Sequence, residues 1–178
     1  MPARRLQRAL NHFLPSDIAV LSVHEAPSGF HAQRSAVRKS YRYRMYTGVV
    51  PPPFIRPYVH HVRAPLNVSR MRREAAALKG QHDFTAFARA EAAKRYGARR
   101  TIYRVVLRRT RAELQLDVTG NGFLHTMVRS IAGTLIDVGR GRLPAGTVRT
   151  LLRNRRRAQA GVVAPARGLT LLRVDYGR

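Results

Sequence analysis

An arginine lies inside an otherwise apolar stretch, residues 121–135, whose periodicity predicts a helix. One face of this helix carries a core stripe made of Leu124, Val128, Ile131, Leu135 and Val138. Arg129 lies on the other side with His125 and Gly133, so we expect both faces to be covered. A buried guanidinium needs a carboxylate, a phosphate or water beside it. Arg129 is therefore a candidate site residue, unless its long side chain reaches the surface.

The charge of the chain indicates the class of its partner. Lysine and arginine number 34 against 9 aspartates and glutamates, which gives a formal net charge of +25. Nearly all of the excess is arginine, which binds phosphate in bidentate fashion and stacks on bases. RNA or DNA is the expected partner, although a bias of the source genome toward arginine and alanine would also contribute.

The composition argues against several other classes. The sequence has no cysteine, and no apolar run approaches the ~20 residues that span a bilayer. Nothing therefore indicates disulfides, thiolate metal sites or membrane insertion. The basic N-terminus lacks the apolar core of a signal peptide. We expect a cytoplasmic protein with one core, or at most two domains.

Alternation and helical periodicity predict the elements that position Arg129. An amphipathic helix is predicted around residues 6–13, a buried strand at 18–23 and an alternating strand at 40–46. A helix is expected at 68–79, between an N-cap at Asn67 and a stop at Gly80, followed by a polar-aromatic loop at 80–87. Strands at 101–108 and 113–119, a helix at 145–157 and a strand at 169–176 complete the pattern. The order predicts an α+β fold, an antiparallel or mixed sheet with helices on one face.

Four blocks of sequence, in order, resemble one known family. They are residues 30–32 with 40–43, 80–87, 121–129 with Gly133, and 168–169 with 174–176. In order and spacing they are similar to the tRNA pseudouridine synthase A family, over essentially the whole chain. The resemblance implies a remnant of the N-terminal half-domain at residues 1–35 and a C-terminal pseudouridine synthase domain at 36–178.

The same resemblance implies an isomerase that converts uridine to pseudouridine at positions 38 to 40 of the tRNA anticodon arm. The reaction uses no metal or organic cofactor, and an aspartate breaks the glycosidic bond of a uridine turned out of the stack. The family forms homodimers in which one tRNA contacts both subunits. We therefore expect tRNA as the partner and a homodimer as the assembly.

Site residues follow from the resemblance by position. Arg129 would pair with the catalytic aspartate, Tyr41 would contact the target base and Leu169 would pack in the active site. From the residues alone, Tyr41 is equally well a half-buried strand tyrosine and Leu169 a core residue. The other expected substrate-binding residues are His82, Asp83, Phe84 and Asn121. The residues expected to contact the RNA backbone are Arg99, Arg100, Arg155 and Arg156.

One departure from the family pattern concerns the nucleophile. In the family, the aspartate lies in an Arg-Thr-Asp-Ala-Gly-Val-His segment upstream of residues 30–32, and this sequence contains no such segment. The chain is then a piece of a longer synthase, an isolated C-terminal domain, or an RNA-binding relative without chemistry; we favour the first. We expect such a chain to be inactive alone and to expose apolar surface that promotes aggregation, and we ask whether Asp83 replaces the missing carboxylate.

Two other functions compete with this interpretation. A non-catalytic, arginine-rich RNA-binding module would use the basic clusters at residues 70–73, 95–100, 108–111 and 153–157, but it would gain little from an arginine inside an apolar helix. A metal-dependent hydrolase would use His60, His61, His82, Asp83 and His125. The sequence shows no zinc-type spacing of these residues, so we expect no metal site.

Overall fold

The computed structural model describes residues 1–177, and the chain divides into two compact units, Met1–Ser35 and the residues from Ala36 onward. The first unit contains helix α1, Ala3–Phe13, as predicted. The strand predicted at residues 18–23 is wrong, since this segment is not a strand and Leu21 is 88% exposed. Side chains of α1 take the place of a neighbouring strand: Gln7 donates to the carbonyl of Leu21 at 2.7 Å, and Asn11 accepts from the amide of Val20 at 2.7 Å.

The second unit is built around a six-stranded mixed sheet. Its strands are β1 Ala36–Tyr46, β2 His60–His61, β3 Gly80–Asp83, β4 Arg99–Thr110, β5 Glu113–Gly120 and β6 Leu169–Tyr176. The order across the sheet is β2-β1-β5-β4-β3, and β6 also pairs with β1. The β1–β2 pair is parallel, while the others are antiparallel. The predicted α+β fold is confirmed, and β1 is its central strand.

Four helices belong to the second unit: α2 Val68–Ala76, α3 Ala90–Tyr96, α4 Met127–Gly139 and α5 Thr147–Asn154. Three of them, α2, α4 and α5, share one apolar core with the buried face of the sheet. The predicted cap of α2 is confirmed, since Asn67 accepts a hydrogen bond from the amide of Arg70 at 2.9 Å. No helix among residues 1–177 has the length and apolarity needed to span a membrane.

Several predicted boundaries are wrong. The helix expected at 68–79 ends at Ala76, and that expected at 145–157 is only Thr147–Asn154. The loop expected at 80–87 contains β3 and a short 3-10 helix, Thr85–Phe87. Helix α3 was not predicted. Helix α4 begins at Met127 because Thr126 before it has a left-handed backbone, with φ of 66°, which interrupts the regular helical geometry.

The polar face of the sheet carries a charged cluster around Asp117. Arg42 binds this carboxylate through two nitrogens, at 2.7 and 2.8 Å, and Arg108 also donates to it. Burial alone would raise the pKa of Asp117, but these hydrogen bonds and charges outweigh it, so the pKa lies below the ordinary value. The ionised form therefore stabilises the fold.

We expect Asp117→Asn to destabilise the protein by about 1 kcal/mol at neutral pH, a value reduced for the partial exposure of the arginines. A depressed carboxyl pKa contributes stability above the unfolded-state pKa, and that stability is lost as pH falls through the folded-state pKa. Urea unfolding at several pH values should show a constant difference between the two proteins above about pH 5. The difference should shrink in acid; a difference independent of pH would contradict the assignment.

A buried carboxylate caps helix α5 from a distant part of the chain. Glu74 in α2 is 7% exposed and accepts hydrogen bonds from the amides of Gly146, at 2.6 Å, and Val148, at 2.9 Å. A negative charge at a helix N-terminus is favoured by the helix dipole. Helix α5 has no side-chain cap of its own at Gly146.

We expect Glu74→Ala to lower the free energy of unfolding by about 2 to 3 kcal/mol, because the half-buried amide of Gly146 and the buried amide of Val148 lose their acceptor. Glu74→Gln keeps one acceptor oxygen and should cost less. Exposed Glu91 in α3 provides a matched control, and Glu91→Ala should change stability by under about 0.5 kcal/mol. Equal losses from the Glu74→Ala and Glu91→Ala substitutions in urea titrations would be evidence against the cap.

Candidate active site

Three predicted site residues, Tyr41, Arg129 and Leu169, line one open cleft of about 300 Å³. Tyr41 comes from the central strand β1, Arg129 from the first turns of α4 and Leu169 from the start of β6. The register explains part of this convergence, since β6 pairs with β1 and places Leu171 opposite Tyr41. The rest of the lining is residues 123–128 and Ala166.

The aromatic side of the cleft is built on Tyr41. Its ring meets Phe123 edge to face, with centroids 5.1 Å apart and planes at 82°, a favourable arrangement for two aromatic rings. Burial raises the pKa of the Tyr41 phenol. The hydroxyl therefore stays protonated at neutral pH and remains able to donate a hydrogen bond.

The cationic side of the cleft is Arg129, the one residue of α4 that is not buried. Its Nε donates to the carbonyl of Ala164 at 2.7 Å, and the amide of Ala164 donates to the carbonyl of Arg129 at 3.2 Å. Within residues 1–177, Arg129 forms no ion pair with a carboxylate. The two terminal nitrogens of the guanidinium are thus left to bind an anion.

A strap at residues 161–165, not predicted from the sequence, holds Arg129 in place. The amide of Gly161 donates to the Thr134 hydroxyl at 3.1 Å, and the Tyr43 hydroxyl donates to the carbonyl of Pro165 at 2.8 Å. The strap crosses α4 so closely that a Cβ at Gly133 would overlap the carbonyl oxygen of Val162. Its hydrogen bonds join residues far apart in sequence, so no local pattern reveals it.

The other expected substrate-binding residues do not line the cleft. Phe84 is fully buried in the core, and His82 contacts the carbonyl of Lys79 at 3.0 Å. Asn121 accepts a hydrogen bond from the amide of Thr101 at 2.9 Å. The structure therefore places all three in local structural contacts.

Asp83 does not supply a carboxylate to Arg129. It accepts hydrogen bonds from the amide and hydroxyl of Thr85, at 3.0 and 2.6 Å, and pairs with Arg155 at 3.3 Å. Burial would raise its pKa, but the Thr85 hydrogen bonds and the charges of Arg155 and Arg99 outweigh it, so the pKa is lowered. Asp83 is an ionised member of a separate cluster.

The four expected RNA-backbone arginines lie on neighbouring elements. Arg99 is opposite Asp83 and Arg100 is opposite His82 in the β3–β4 register, and Arg155 reaches Asp83 from the end of α5. The amide of Arg156 donates to Asn154 at 3.0 Å, while its side chain is exposed. These positions form a basic surface around Asp83.

The histidines proposed for a metal-dependent hydrolase do not converge. His60 and His61 form β2 and His82 lies in β3, and these strands are at opposite edges of the sheet. His125 lines the cleft instead. Residues 1–177 contain no group of three histidine, aspartate or glutamate side chains that could hold a metal ion.

Comparison with known proteins gives one family. Residues 75–177 match the sequence model of the family described as tRNA pseudouridine synthase. A tRNA pseudouridine synthase A of Bacillus velezensis is 46% identical over 176 residues, which cover 99% of this chain and 71% of the relative. The enzyme of the same name from Moorella thermoacetica is 43% identical with the same coverage, and that of Limosilactobacillus reuteri is 40% identical over 97% of this chain and 68% of the relative. The chain therefore belongs to the tRNA pseudouridine synthase family, whose members isomerise uridine to pseudouridine in tRNA.

Proposed function

We propose that the cleft receives a uridine turned out of a tRNA, at positions 38 to 40 of the anticodon arm, and that the chain acts as part of a tRNA pseudouridine synthase. Tyr41 contacts the base with its ring and hydroxyl, and Leu169 packs against it. Arg129 holds the catalytic aspartate. The protonated phenol and the apolar wall support the first two roles.

The observation that carries this proposal is that the guanidinium of Arg129 has no carboxylate partner within residues 1–177. The Arg129 guanidinium is on an otherwise buried helix, and within residues 1–177 its side chain is bonded only through Nε, to the Ala164 carbonyl. Its terminal nitrogens are therefore left for a carboxylate. The aspartates of the second unit have other partners: Asp83 pairs with Arg155, Asp117 with Arg42 and Arg108, Asp137 with Arg142, and Asp175 with Arg173. None of them is placed to act as the nucleophile.

Pseudouridine mapping on an unmodified tRNA transcript tests the proposal. We compare the chain with a chimera in which the part of the Bacillus velezensis relative that lies outside the aligned region is joined to Met1. The chimera should form pseudouridine at positions 38 to 40, whereas the chain alone should bind tRNA without converting it. Conversion by the chain alone would overturn the role given to Arg129, and no tRNA binding by either protein would overturn the function itself.

We also propose that the protein works in the cytoplasm as a homodimer. Large apolar side chains are exposed in both units, among them Phe13, Leu21, Val49 and Phe54, each more than 80% exposed. Exposed apolar surface of this kind favours self-association. Sedimentation over a range of concentrations should give dimers or larger species, and a concentration-independent monomer would contradict the proposal.

The alternative of a non-catalytic RNA-binding module receives no support. The relatives described above are named as synthases. The basic surface of the chain suits a tRNA substrate equally well.

A further inference from the structure

A second pocket, of about 350 Å³, adjoins the cleft. The two share the short 3-10 helix Ala166–Gly168, since Arg167 lines the pocket and Ala166 lines the cleft. Arg56, Arg63 and His61 also line the pocket. A ligand group in this pocket and a base in the cleft would therefore contact the same 3-10 helix.

The fold holds the wall of the pocket in place. The 3-10 helix Arg56–Tyr58 packs against the 3-10 helix Ala166–Gly168. Gly168 lies directly on β1, because a Cβ there would come within 2.8 Å of the Tyr43 ring and 2.9 Å of the carbonyl oxygen of Arg44. The His61 ring contacts the carbonyl of Gly48 at 2.9 Å and so ties β2 to the loop that follows β1.

The charge of the pocket is uncompensated. Arg56, Arg63 and Arg167 are exposed, and no aspartate or glutamate lines the pocket. None of the three arginines takes part in any ion pair found among residues 1–177, whereas arginines on the polar sheet face, such as Arg42 and Arg44, bind carboxylates. Three arginines that line one concave site favour a phosphate, which guanidinium groups bind through charge-assisted hydrogen bonds.

We infer that this pocket binds a backbone phosphate of the tRNA, close in sequence to the uridine that enters the cleft. The inference rests on the proposed function and extends it, because phosphate contacts fix the register of a nucleic acid on a protein without reading its bases. The 3-10 helix Ala166–Gly168 joins the two sites, so the phosphate held in the pocket sets which nucleotide reaches Tyr41 and Arg129.

The test uses the double variant Arg63→Gln/Arg167→Gln in the full chain, with tRNA binding measured at several salt concentrations. We expect the dissociation constant to rise about tenfold. The negative slope of log affinity against log salt should become shallower by about one. Phosphate-ethylation interference provides the positional readout. Ethylation near the target uridine should weaken binding to the original protein but not to the variant.

The matched control is Arg4→Gln/Arg8→Gln, which removes the same charge from two exposed positions on α1, outside the basic clusters named above. It should weaken binding less than threefold and leave the interference pattern unchanged. Equal weakening by both double variants, or an unchanged pattern in the pocket variant, would overturn the phosphate site while leaving the proposed function intact. Failure of both the original chain and the chimera to bind tRNA would overturn both proposals.

Discussion

Substituting Arg129 with alanine should lower the rate of pseudouridine formation by about 100- to 1,000-fold, a typical loss when one preorganised electrostatic contact is removed from an active site. The reason is local: Arg129 is the cation in the cleft whose terminal nitrogens have no partner among residues 1–177. Single-turnover assays with the chimera and tRNA that carries tritium on uridine C5 measure the rate directly. Pseudouridine formation joins C5 to the ribose, so the tritium on C5 is released.

Arg129→Lys separates charge from geometry. Lysine keeps the positive charge but lacks the planar fork that binds a carboxylate while another nitrogen holds a carbonyl, so we expect it to recover only part of the rate. Arg104→Ala, on the exposed surface of β4, is the matched control and should leave the rate within about twofold. Affinity for tRNA should change little in Arg129→Ala, and full activity in that variant would refute the assignment.

Elements with strong local patterns were predicted well from the sequence. Strand β6 has the predicted bounds, Leu169–Tyr176, and β5 buries Leu114, Leu116 and Val118 in strict alternation. In both strands apolar residues recur at every second position, as expected for a strand with one buried face. The sequence predicts such strands well because the buried face itself requires the alternation.

Elements defined by tertiary contacts escaped prediction. Strand β3, Gly80–Asp83, contains residues with low strand propensity and forms because β4 pairs with it. The segment at 18–23 has a strand-like composition but finds no neighbouring strand, since side chains of α1 satisfy its backbone. In each case contacts made outside the segment itself decided the outcome.

Some residues of the candidate site are likewise recognisable from a local sequence pattern, and others are not. Arg129 is recognisable because a charge inside an apolar helix violates the pattern around it, whereas Tyr41 and Leu169 needed the family resemblance. The strap at residues 161–165 and the cap at Glu74 depend on hydrogen bonds across 25 to 122 residues. A sequence pattern cannot contain that information, yet the strap holds Arg129 on α4 and the cap fixes the start of α5.

Substituting Gly133 with alanine should have the largest effect on stability, lowering the free energy of unfolding by about 3 kcal/mol. The added methyl group would overlap the carbonyl oxygen of Val162 and approach the amide of Ala164 at 3.2 Å. These are backbone atoms, so the strap itself must move away from α4. Because Ala164 also accepts the hydrogen bond from Arg129, the displacement should reduce activity at temperatures where the variant is still folded.

Gly139→Ala is the matched control, since it makes the same change in the same helix. A methyl group there meets the Met71 side chain, with Sδ at 2.7 Å, and a flexible thioether can move aside. The gain of about 1 kcal/mol in helix propensity on replacing glycine by alanine should offset most of that cost, whereas at Gly133 it offsets only a part. Urea titrations should therefore place Gly139→Ala near the original protein and Gly133→Ala far below it. Similar stability of the two variants would mean that the strap yields easily, and it would then be unable to hold Arg129 against an anion.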